Sequence, residues 1–70
     1  MEMESVESSN IARIGHDAGS STLQIEFKNG GTYQYFDVHR DVYDSMMVAG
    51  VSKGKFLHAN IKGTYRFSKV

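Results

Sequence analysis

An α+β domain is the fold class this sequence predicts, and three observations predict it. Apolar and polar residues alternate through residues 11–35, with turn-forming breaks between the alternating runs. The period changes to a helical one at Val42, Tyr43, Met46, Met47 and Ala49, and alternation returns at Thr64–Ser68. Together these give a three-stranded antiparallel β-meander packed by two short helices, with a short C-terminal strand at the sheet edge.

The elements follow in order. Residues 1–8 are rich in Glu and Ser without periodicity and read as a flexible lead-in, leaving 9–70 as a single domain. Ile11–His16 is the first strand, with Ala12, Ile14 and His16 on one face and Ile11 and Arg13 on the other. Asp17-Ala18-Gly19-Ser20 supplies turn chemistry, and a tight turn near Ala18-Gly19 pairs Ile14 with Leu23 and Ala12 with Ile25. From Thr22 to Lys28 the alternation is clean, with Leu23, Ile25 and Phe27 on the apolar face. A two-residue Asn29-Gly30 loop would set Thr32 and Gln34 against that face. A three-residue loop through Gly31 pairs Phe27 with Tyr33 and Ile25 with Tyr35, which keeps the face apolar and needs a left-handed glycine.

Gly50 then reads as the residue closing the first helix. Ser52 is a good N-cap for the second, with Val51 and Phe56 spaced to form a hydrophobic staple; this helix runs to about Ile61, and Gly63 permits its stop. In the last strand Tyr65 and Phe67 face the same way.

Composition narrows the function classes. A chain of 70 residues with no cysteine must rely on a thin core or on oligomerisation. Its longest apolar run, Met46-Met47-Val48-Ala49, is far short of the ~20 residues that cross a bilayer. The start is acidic and has no apolar segment of the kind a signal peptide needs, so the expected location is the cytoplasm and no membrane partner is expected. Formal net charge is zero but uneven: residues 51–70 carry Lys53, Lys55, Lys62, Arg66 and Lys69 with no acid. Such a stretch is either an ordinary solvated surface or a positive face that recruits a polyanion.

Several landmarks have a family's order and spacing: Ser8-Ser9-Asn10-Ile11, Ile14-Gly15, Phe27-Lys28-Asn29-Gly30-Gly31, Tyr33-Gln34-Tyr35-Phe36, Val42-Tyr43, Ser52-Lys53-Gly54 and Ile61-Lys62-Gly63-Thr64-Tyr65. Over about residues 6–70 the chain resembles the KTSC domain, a module at the C-terminus of some lysyl-tRNA synthetases that also occurs as a small stand-alone bacterial protein. The family's YxY motif falls on Tyr33 and Tyr35. His39 stands where the resemblance leads one to expect proline, and the synthetase context implies RNA as a ligand.

The candidate sites each have a structural alternative. Tyr33 and Tyr35 could stack bases, but the strand register places both rings on the buried face with their hydroxyls reaching outward. Ser52-Lys53-Gly54-Lys55 could offer a helix N-terminus and two lysines to a phosphate, or could be an ordinary capped helix. It lacks P-loop spacing. Lys62, Arg66 and Lys69 could extend that patch along a nucleic-acid backbone, with Tyr65 as a stacking platform. His16, His39 and His58 show no ligand spacing, so no metal or other cofactor is expected. No nucleophile elbow or paired catalytic carboxylates occur, so no enzyme activity is expected.

The leading expectation is a non-enzymatic module that binds RNA or another polyanion through Lys53, Lys55, Lys62 and Arg66. The alternative is a protein-interaction or homodimerisation module using an exposed strand edge or an apolar helix face.

Overall fold

The computed structural model describes residues 1–70 and has an α+β fold in which a five-stranded antiparallel sheet carries two short helices on one face. The strands are β1 Met3–Ser5, β2 Ile11–Asp17, β3 Thr22–Phe27, β4 Thr32–Tyr35 and β5 Phe67–Lys69, in spatial order β1-β2-β3-β4-β5. The expected meander is its centre, with β5 at one edge. At the other edge lies a strand the sequence reading did not contain. Met3–Ser5, expected to be part of a flexible lead-in, pairs with Gly15, Ile14 and Arg13 of β2. Glu4 points to the helical side, where its Oε2 accepts from the Tyr43 hydroxyl at 3.1 Å.

Strand faces are as the alternation predicts, but both hairpin registers are shifted by two. Ile25 pairs with Tyr33 and Leu23 with Tyr35, because the three loop residues are Lys28, Asn29 and Gly30 rather than Asn29 to Gly31. Gly30, at φ 98°, donates its N–H to Phe27 O, and Phe27 N donates to Gly31 O. This is a type I turn closed by a glycine bulge. Between β2 and β3, Ile14 pairs with Ile25 and His16 with Leu23 around a loop of residues 18–21. The Asp17 carboxylate accepts from Gly19 N there, and Ser21 takes φ 53°. A shift by two preserves parity, so the apolar face survives. Ile11 is the exception: a bulge between Ile11 and Arg13 inserts one residue and turns Ile11 to the core side, fully buried.

Gly15 is where the sheet accepts β1. A Cβ there would lie 2.5 Å from both Glu2 O and Met3 Sδ. Gly15→Ala is therefore expected to loosen β1, read as lost amide-exchange protection in residues 3–5 with β2–β3 protection retained.

The first helix, α1, spans Arg40–Met46. His39 caps it, its Nδ1 accepting from Asp41 N at 3.1 Å, so a side-chain cap serves where a proline was expected. The helix stops at Met46 rather than continuing to Ala49, and Gly50, at φ 86°, belongs to the following turn. The second helix, α2, is only Lys53–Phe56, capped by Ser52 as expected, and runs directly into a π-helical turn, Leu57–Ile61. Val38, Tyr43, Met46, Leu57 and Ile61 close the core over Ile11, Ile14, Leu23, Ile25 and Tyr35. The outer sheet face is polar, with the Arg13 guanidinium doubly bonded to Glu26 and Gln34 Nε2 donating to Gln24 Oε1.

Candidate functional site

The helices leave the β3–β4–β5 end of the inner sheet face uncovered. Phe27, Tyr33, Tyr35 and Phe67 form the floor of a groove of about 840 Å³ there, within the size range of small-ligand sites. Cross-strand pairing assembles it: Tyr35 stands opposite Phe67, and Tyr33 opposite Lys69. Tyr33 meets Phe27 edge-on at 5.7 Å between centroids, while Phe67 leans on Tyr33 at 6.0 Å and on Tyr35 at 5.7 Å. Tyr35 is 3% exposed, whereas Phe67, on the edge strand, is 60% exposed. Burial, and secondarily the neighbouring Tyr33, push the Tyr35 hydroxyl above its ordinary pKa. It therefore stays a neutral donor throughout the physiological range.

The rim comes from three loops. Ser9 and Asn10 enter from the chain before β2, tied to the β3–β4 hairpin by the Lys28 N–H donated to Asn10 O at 2.9 Å. Lys28 and Asn29 come from that hairpin, and Lys62 and Gly63 from the end of the π-helical turn. The wide turn closes through Lys62 N donating to Leu57 O, and the chain then turns extended at Lys62. The Lys62 ammonium lies 5.8 Å from the Phe27 ring centroid. Gly54 of α2 backs this rim so closely that a Cβ would lie 3.1 Å from Asn10 Oδ1.

Charge sorts sharply between residue types. Each of the three arginines is paired with a carboxylate: Arg13 with Glu26, Arg40 with Asp44, Arg66 with Asp37. No lysine is so paired. Lys53 is consumed internally, while Lys28 and Lys62 line the groove and Lys69 stands on its β5 flank. None of the groove-lining residues is acidic, in a chain whose formal net charge is zero.

The basic patch expected from the sequence is thus not one surface. Lys53 is buried, its Nζ donating to Val48 O at 3.1 Å and Val51 O at 3.0 Å, so its charge satisfies loop carbonyls. Ser52 spends its hydroxyl on the Lys55 N–H and, with Lys53, borders a different depression that also contains Glu4 and Glu7. Lys55 lines neither that depression nor the groove. Arg66 bonds Asp37 at 3.3 Å and lies over Phe36. Tyr65 precedes β5, in a turn where its N–H reaches Ile61 O, and packs against the core. Only Lys62 of the proposed cations reaches the groove. Of the YxY pair, Tyr35 is core as expected, while Tyr33 is half-buried and shares the groove floor.

The residues that sequence reasoning passed over are Ser9, Asn10, Lys28, Asn29 and Phe67. The alternation reads Lys28 as a strand residue, whereas the observed hairpin puts it in the loop, where it lines the groove together with Lys62. The histidines are separate: His16 Nε2 bonds Val38 O at 2.7 Å and its ring stacks on Tyr43, His39 caps α1, and His58 lies exposed in the π-helical turn.

Comparison with known proteins agrees with this architecture. The KTSC domain model matches residues 7–65. A crystal structure of a KTSC domain protein from Yersinia pestis superposes with a TM-score of 0.92 at 38% identity, covering 99% of this chain and 96% of that one. A protein of Tsukamurella paurometabola is 36% identical over 64 residues, 91% of this chain and 94% of its own length. The lysine–tRNA ligase of Trichormus variabilis is 33% identical over 64 residues, which is 91% of this chain but 11% of the ligase. No helix here is long and apolar enough to cross a membrane. With the family model spanning most of its length and a near-superposable relative, the chain belongs to the KTSC domain family.

Proposed function

We propose that this domain is a non-enzymatic module that binds RNA or a similar polyanion, and that the binding surface is the aromatic groove rather than the N-terminus of α2. The observation that carries the reading is the meeting of four aromatic rings with Lys28 and Lys62 in a groove without carboxylates. Support also comes from the lysine–tRNA ligases of Trichormus variabilis and Nostoc punctiforme, which contain a matching segment and act on an RNA substrate.

The two lysines that line the groove make a testable salt dependence. For single strands the slope of log affinity against log salt is roughly −0.7 per phosphate neutralised, so Lys28 and Lys62 together give a slope near −1.4. Lys62→Ala is expected to weaken binding of mixed RNA and bring the slope to roughly −0.7. Absence of binding at low salt, or affinity indifferent to salt, would contradict the reading.

The rival is self-association through the β5 edge, favoured by the exposure of Phe67 and Val70. That edge is three residues long, which limits strand addition. Light scattering at high concentration separates the two, because a monomer that still binds RNA leaves the rival without support.

A further inference from the structure

We infer that the groove takes unpaired nucleotides, with a base stacked on the Phe67 ring beside Tyr33 and the adjoining phosphates held by Lys62 and Lys28. This rests on the polyanion reading above and makes it specific: the ligand is recognised by its bases and not by charge alone.

The argument begins with what a base-free polyanion would require. A surface built for charge alone needs cations and no rings, as arginine- and lysine-lined backbone grooves do. Here most of the floor is aromatic, and the ring with the greatest exposure is an unbranched platform at 60% on the outermost strand. Its inner side packs on Tyr33 and Tyr35, which fixes the ring in place and leaves its outer face open to solvent. A π-face open to solvent beside two unpaired ammonium groups matches a nucleotide, which joins a flat base to a phosphate. Polar groups that could meet base edges stand at the same rim: Ser9, Asn10 and Asn29 side chains, with half-buried Tyr33 below.

The same geometry rejects a duplex. Bases inside an A-form helix have both faces covered by their neighbours, so a stacking floor has nothing to accept. At about 840 Å³ the groove has the volume of a small-molecule site. It therefore fits a short stretch of one strand, such as a loop, bulge or end. An acidic peptide is the other occupant that two lysines would suit, but it offers no flat ring to Phe67.

Fluorescence anisotropy with four labelled probes at one low salt concentration tests this: a mixed-sequence single-stranded RNA octamer, an abasic octamer with the same backbone, an eight-base-pair RNA duplex, and a polyphosphate of matching charge. The octamer is expected to bind at least about fivefold more tightly than the other three, and Phe67→Ala is expected to remove that margin while Phe67→Tyr keeps it. Because Phe67 is largely exposed, Phe67→Ala should fold; its circular dichroism and thermal midpoint confirm that the loss is of stacking. Equal binding of the abasic octamer, polyphosphate or duplex would overturn the inference and leave the polyanion reading standing. Binding of none of the four would overturn both.

Discussion

Replacing Ile25 by alanine is expected to remove about 2–5 kcal/mol of stability. Ile25 sits at the centre of β3, fully buried, between Ile14 on β2 and Tyr33 on β4. Its truncation leaves a cavity where the three central strands meet, and close-packed strands collapse only partly into such a space. A 70-residue domain has only roughly 4–10 kcal/mol in total, so the variant stands near its folding threshold. Urea denaturation reads the effect as a lower midpoint at an unchanged slope. Gln24→Ala, one residue away on the outer face, is expected to cost under about 0.5 kcal/mol beyond its bond to Gln34. Equal effects at the two positions would contradict the assignment of faces.

The second large effect concerns Lys53, and it separates a structural lysine from a ligand-binding one. Its ammonium bonds two carbonyls of the loop joining the helices, while its stem lies in the protein. Lys53→Met keeps most of the stem's packing and removes both charged hydrogen bonds, a loss of roughly 2–4 kcal/mol. In a domain this small, that is a fall in Tm of roughly 14–27 °C. RNA affinity, measured at a temperature where the variant is folded, is expected to stay within about twofold of the parent. A stable variant with weakened RNA affinity would reverse both statements and return the binding surface to the start of α2.

These two residues also mark what the sequence makes legible. Ile25 announces itself, because alternation depends only on parity and parity survived register shifts of two at both hairpins. The absolute pairing was not legible, since sliding a three-residue loop by one position or lengthening a two-residue loop to four keeps parity, and the choice is made by hydrogen bonds such as Gly19 N to the Asp17 carboxylate and Phe27 N to Gly31 O. Ile11 was misplaced because a bulge breaks parity without a mark in the residue pattern. The strand Met3–Ser5 was invisible for another reason: it joins an edge through backbone bonds, and its inward residue is Glu4, stabilised by the distant Tyr43.

The site followed the same division. A run of cations in sequence fixes no shared surface: Lys53 turns inward to carbonyls, Arg66 finds Asp37 29 residues away in sequence, and only Lys62 reaches the groove. The groove itself joins residues from the segment before β2, the β3–β4 hairpin, the π-helical turn and β5. Nothing local links Asn10, Lys28, Lys62 and Phe67; sheet order and the wide turn at Leu57–Ile61 do.

Amide chemical-shift mapping on titration with a single-stranded RNA octamer tests the groove most directly. Shifts are expected to concentrate at Ser9, Asn10, Lys28, Tyr33, Gly63 and Phe67, leaving Ser52 to Lys55 nearly still. Shifts centred on Ser52 to Lys55, or spread evenly over the surface, would contradict the account.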